Sequence, residues 1–125
     1  MESGYKPLDW IGSSKKDLDA FPREVKQAVG YALHLAQLGE KSSDSKPLKG
    51  FGSASVLEVV EYHDGDAYRA VYTVRFEEAV YVLHCCQKKS KSGIATPMQD
   101  MRKVESRLNL AEEKHRQWLE KNRKK

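Results

Sequence analysis

Three runs dominated by valine and tyrosine, SVLEVVEYH, AYRAVYTVRF and AVYVLHCCQ, follow one another between residues 55 and 87 with only short polar links. Side chains of this kind suit a pleated, half-buried surface. Asp64, Gly65 and Asp66 join the first two runs and contain Asp-Gly, a strong short-range hairpin signal. The pair Glu77 and Glu78 separates the second from the third. Links this short leave no room for a crossover connection, so the three strands are expected to form an antiparallel meander. Whatever else the chain folds into must be built on that sheet.

Helical periodicity flanks the strands on both sides. Upstream, Ser13 and Ser14 are candidate N-caps, and Pro22 suits the first turn of a helix continuing through REVKQAVGYALHLAQL. Val25, Ala28, Val29, Ala32, Leu33 and Ala36 recur there at spacings of three and four, a stripe that should face the sheet. Gly39 stands where a helix C-terminal glycine is expected. Downstream, Thr96, Pro97 and Asp100 read as the start of a long helix reaching about Glu120. Met101, Val104, Leu108, Ala111, His115 and Trp118 form its docking face, and Arg102, Lys103, Arg107, Lys114 and Arg116 should stay in water. PLDWI reads as a short first strand, and KPLKGFGSAS, with Pro47, Gly50 and Gly52, as a loop carrying Lys46 and Lys49. The expected fold class is therefore α+β: a small antiparallel sheet, N-terminal helices on one face, and a long C-terminal helix.

A chain of 125 residues is the size of one domain, so a single domain over residues 1–125 is expected, with about 121–125 as a basic tail. No apolar run approaches the roughly 20 residues of a membrane span, and MESGYKPLDW lacks a secretory pattern. A cytoplasmic protein with no membrane partner is expected. Net charge is +4, and residues 79–125 hold 12 Lys and Arg against 5 Asp and Glu. A polyanion such as nucleic acid is the natural partner of such a surface, with a solvated basic helix as the plainer alternative.

The densest chemistry lies in HCCQKKSKSG, residues 84–93. A strand alternates its side chains, so His84 and Cys86 share one face and Cys85 takes the other. That breaks up the only zinc-like grouping, and no CxxC spacing is present, so neither a metal site nor a cofactor is expected and both cysteines read as packing residues. Lys88, Lys89 and Lys91 at the strand end can hold phosphate or simply protect a sheet edge. Arg69 lies inside a strand, in YRAVY, where an unpaired guanidinium is costly. It calls for a phosphate, or for Glu58 or Glu61 on the neighbouring strand, with the ion pair slightly favoured.

The ordered set KPLKGFG, VLEVVEYHDGDAYRAVY and VYVLHCCQKKSKSGIATP resembles the RelE/ParE toxin superfamily, specifically its HigB-like subgroup, which includes phage-derived proteins. The similarity runs from about Trp10 to Leu119. It implies a type II toxin with a helix-turn-helix antitoxin as partner, cutting mRNA on the ribosome without a metal. The implied catalytic set is Arg69 clamping the scissile phosphate, with Lys88, Lys89 and Lys91 supplying charge and proton transfer. Lys46, Lys49, Arg102 and Lys103 are the implied RNA-binding residues. Two positions depart from the pattern: Val59 follows Leu57 and Glu58 where many relatives carry arginine, and no C-terminal tyrosine or histidine matches the one some relatives use. Tyr62 and His63 are the conceivable substitutes. The alternatives are a ParE-like inhibitor of gyrase, or a non-toxic phage-derived domain that binds nucleic acid or protein.

Overall fold

In the computed structural model, which describes residues 5–51, 55–89 and 98–123, the elements run β1 (Leu8–Trp10), α1 (Ser14–Asp19), α2 (Arg23–Gln37), β2 (Ser45–Pro47), β3 (Val56–His63), β4 (Asp66–Thr73), β5 (Val80–Lys89) and α3 (Met98–Arg123). The five strands form one sheet in the order β1-β5-β4-β3-β2. The meander β3-β4-β5 is antiparallel, as the three runs require. Its first turn places Asp64 at φ 51 and Gly65 at φ 85, the paired positive dihedrals of a type I′ hairpin.

Two features of the sheet differ from expectation. PLDWI does form a strand, but β1 lies parallel to β5, with Leu8 opposite Val80 and Trp10 opposite Val82, so the sheet is mixed. Three extended residues carry no signal of direction. The loop assigned to KPLKGFGSAS begins instead as β2, which pairs antiparallel with β3 through Ser45 opposite Val59 and Lys46 opposite Glu58. Pro47 is tolerated because β2 is an edge strand and needs no second ladder. Ser45 is also tied down by the Tyr72 hydroxyl, which donates to its Oγ at 2.7 Å.

Each face of the sheet carries helix. Val25, Val29, Ala32, Leu33 and Ala36 of α2 pack with Leu57, Val59, Tyr68, Ala70, Tyr72, Val80, Val82 and Cys85. On the other face Val104, Leu108 and Ala111 of α3 meet Val56, Val71, Tyr81 and Leu83. The two helical stripes thus find the two faces, with Ala28 only half-buried and Trp118 left exposed. Pro22 precedes α2 as its N-cap residue, one position outside the helix, where its fixed φ of −58° and extended ψ set the entry of the chain. α3 ends at Arg123, and Lys121 and Arg123 in its last turn complement the negative end of the helix. Its expected start at Thr96 and Pro97 lies outside the described residues.

One irregularity sets up the chemistry. Val71 pairs with His84 while Tyr72 pairs with Val82, so Leu83 is an extra residue in β5. This β-bulge lets Leu83 and His84 both serve the α3 face before alternation resumes with Cys85 in the α2 core.

Leu33 is 2% exposed in the α2 core. Its replacement by alanine is expected to lower unfolding free energy by about 2–5 kcal/mol, whereas Leu110→Ala on the exposed side of α3 should stay within about 0.5 kcal/mol. Urea titrations of both variants followed by circular dichroism check the contrast.

Candidate functional site

The α3 face of the sheet carries a row of polar groups among its apolar ones. Arg69 lies between Val60 and Cys86 in the strand register, and Glu58 and His84 both lie opposite Val71 one step along. Arg69 is only 7% exposed, and its Nη1 is 3.0 Å from Glu58 Oε1. Of the two partners anticipated for this guanidinium on β3, the pleat selects Glu58. Glu61 takes the opposite face, where burial first and the neighbouring Asp44 second raise its pKa. A buried ion pair of this kind depends on both members being present, since either alone leaves an uncompensated charge.

His84, 5% exposed, sits next to that pair. Its Nε2 is 2.9 Å from Asp100 Oδ1 in the first turn of α3, and its Nδ1 is 3.4 Å from Arg107 Nη1. A guanidinium only donates, so Nδ1 accepts and the single imidazole proton sits on Nε2, donating to Asp100. Burial pushes the His84 pKa down; Asp100 opposes that, while Arg107 and Lys103 add to it. An accepting Nδ1 and burial thus both favour the uncharged ring. Arg107 in turn donates to the Leu83 carbonyl at 3.0 Å and to Ser13 Oγ at 3.2 Å. Ser13 Oγ donates to Asp17 Oδ2 at 2.7 Å rather than capping α1 through its side chain. Gly12, at φ 59, is needed here, because a Cβ would stand 2.8 Å from Arg107 Nε.

Arg107 is therefore half-buried structural glue, not the wet residue its polar type suggests. Asp100 likewise does more than favour a helix terminus. Neither role was visible in the sequence, because both depend on how α3 crosses β5 beside the bulge. The cysteines divide as the pleat requires. Cys85 is buried in the α2 core, with burial pushing its thiol up to about 12, and Cys86 is half-buried on the α3 face.

The remaining expected site residues are spread widely. Lys46 is exposed on β2, opposite Glu58 in the register, and Lys49 is exposed in the loop beyond it. Arg102 and Lys103 are exposed on α3. The backbone of Lys88 pairs with Ala67 and that of Lys89 with Asp66, at the far end of the β4-β5 ladder from the bulge. Lys91 lies outside the described residues. At the β3-β4 turn, Tyr62 is exposed and His63 Nε2 is 3.4 Å from Asp64 Oδ2.

A second polar cluster lies farther along α3. His115, 3% exposed, is bridged by the Tyr81 hydroxyl at 2.9 Å from Nδ1 and by Glu78 Oε1 at 2.7 Å from Nε2. Phe76 and Trp118 stack near its ring. With both nitrogens engaged, this histidine fastens α3 to the β4-β5 connection.

Residues 16–109, from α1 to the middle of α3, match the family described as phage derived protein Gp49-like. The chain belongs to the phage-derived Gp49-like family. That family is associated with RelE-like toxin proteins. The matched segment of this Gp49-like chain includes Glu58, Arg69, His84, Cys86, Asp100 and Arg107, and it leaves out only β1 among the strands. No curated protein matches the chain. Among the described residues, no helix is long and apolar enough to cross a membrane.

Glu58→Ala is expected to cost about 3–5 kcal/mol of unfolding free energy by stranding Arg69. The double variant Glu58→Leu with Arg69→Met should recover most of that loss, which paired denaturant titrations would reveal. Thiol labelling gives a second check. At pH 8 native protein should react at Cys86 well before Cys85, and denatured protein should react at both alike.

Proposed function

We propose that this Gp49-like protein is the toxin of a type II toxin–antitoxin pair, a HigB-like endoribonuclease that cuts mRNA on the ribosome. The observation that carries the reading is the joining of the basic end of β5 to β4: Lys88 and Lys89 pair with Ala67 and Asp66, two and three rows from Arg69, in a family associated with RelE-like toxins. Exposed Lys46, Lys49, Arg102 and Lys103 supply further cations for an RNA backbone.

Cleavage of this kind needs the ribose 2′-oxygen to lose a proton and attack the adjacent phosphorus, with stabilisation of the phosphorane charge and protonation of the leaving 5′-oxygen. Lys88, Lys89 and Lys91 fill these roles by charge and proton transfer. Arg69, held by Glu58, acts from within the sheet by its field and by tying β4 to β3; it clamps phosphate directly only if the pair opens. The antitoxin is a small helix-turn-helix protein, and the site of action is the cytoplasm.

A ParE-like action on gyrase is the second reading, favoured by the burial of Arg69 in its ion pair. Induction in cells without antitoxin separates the two. The nuclease reading expects translation to stop, with new RNA 5′ ends inside translated codons. The triple replacement of Lys88, Lys89 and Lys91 by glutamine should reduce those ends by about 100-fold or more while the protein stays folded. Loss of plasmid supercoiling with translation intact would instead establish gyrase as the target, and unaffected growth would remove the toxin reading altogether.

A further inference from the structure

The nitrogen, sulfur and carboxylate ligand atoms of His84, Cys86 and Asp100 all lie within 4.8 Å of one another. We propose that these three side chains form a binding site for zinc, or a similarly thiophilic divalent cation, that ties β5 to the first turn of α3. The site rests on no part of the toxin reading. Two of its ligands come from alternate positions of one strand, and the third comes from a helix that begins nine residues beyond that strand.

The distances suit the ion. Bonds of roughly 2.0–2.3 Å at tetrahedral angles place zinc ligands about 3.3–3.8 Å apart. His84 Nε2 and Asp100 Oδ1, at 2.9 Å, need to open slightly, and Cys86, within 4.8 Å of both, needs to close by at most about an ångström, a side-chain rotation on a half-buried residue. Three protein ligands leave a fourth position for water, the open arrangement of zinc sites that exchange ligands. A thiolate among them selects against magnesium and calcium, which prefer oxygen donors.

The charges also close. Cys86 gives its thiol proton to solvent, and thiolate plus carboxylate then neutralise the dication. His84 transfers its one imidazole proton from Nε2 to Nδ1, and Nε2 becomes the ligand. Nδ1 can then no longer accept from Arg107, whose Nη1 keeps its stronger bond to the Leu83 carbonyl. The neutral histidine already present in the metal-free protein means no charge has to be expelled from the ring. Arg107 and Lys103 nearby act against a cation, so the site should fill and empty with metal supply and should not hold zinc permanently.

The test uses the full-length chain stripped with a chelator and titrated with cobalt(II), whose thiolate charge-transfer absorption reports a cysteine ligand. One equivalent should bind with that absorption, zinc should displace it, and millimolar magnesium should not. Cys86→Ser should abolish the band and Cys85→Ala should keep it. Asp100→Asn should weaken zinc binding about 10-fold or more in a competition with a chromophoric chelator, and zinc should raise the Tm of the wild type but not of Cys86→Ser. Absence of the thiolate band in folded wild-type protein would overturn the proposal. So would a band that survives Cys86→Ser, or unchanged zinc affinity in a folded Asp100→Asn chain.

Discussion

A strand buried on both faces has no place to leave a charge, and β4 is such a strand. From Ala67 to Thr73 every residue is buried, because α2 covers one face of the sheet and α3 the other. Arg69 therefore has to be answered within the fold. Glu58, on the next strand and the same face, does so at 3.0 Å. The same constraint governs the neighbouring row: His84 is buried and has hydrogen-bond partners at both ring nitrogens. Hydrophobic burial supplies most of the stability, and these pairs decide which side chains may stand in that row.

The bulge at Leu83 connects sheet geometry to the polar cluster. Without an extra residue in β5, strict alternation would send either Leu83 or His84 to the α2 side. With it, Leu83 fills the α3 core while His84 meets Asp100, and the Leu83 carbonyl becomes available to Arg107. Arg107 then reaches the turn before α1 through Ser13, made possible by the missing side chain at Gly12. Three parts of the chain far apart in sequence are thus joined through one guanidinium. Lys114 with Asp9 at 3.1 Å, and Arg75 with Glu112, make further surface links between α3 and the rest of the fold.

Much of this was legible in the residues. Valine- and tyrosine-rich runs with Asp-Gly between them specified the meander, and the two helical stripes specified what would cover it. Alternation alone separated Cys85 from Cys86 and placed His84 with Cys86. The direction of β1 was not legible, since three residues do not encode it, nor was β2, where proline and glycine outweighed the edge position that tolerates them. The contribution of Asp100 was hidden for a different reason: its contact with His84 spans a strand and a helix, and such a pairing has no fixed spacing in sequence. Arg107 was misjudged because arginine on a polar helix face usually is solvated, and only a nearby carbonyl freed by a bulge changes that.

The division between buried and exposed cations bears on how function can be assigned in this fold. Arg69 and Arg107 are held by partners inside the structure, whereas Lys46, Lys49, Arg102 and Lys103 face solvent. Replacing either of these arginines removes a partner from a glutamate, a carbonyl or a histidine, so loss of activity in such a variant reports stability as readily as chemistry. The exposed lysines can be neutralised with little disturbance to the core, and an effect on RNA or on a protein partner then reflects the surface itself. Arg69 becomes informative only in combination with Glu58, because removing both restores the balance of charge in the sheet while still deleting the guanidinium. A reaction that survives the double replacement does not use Arg69 at the phosphate, and one that is lost from a double variant of normal stability does depend on it.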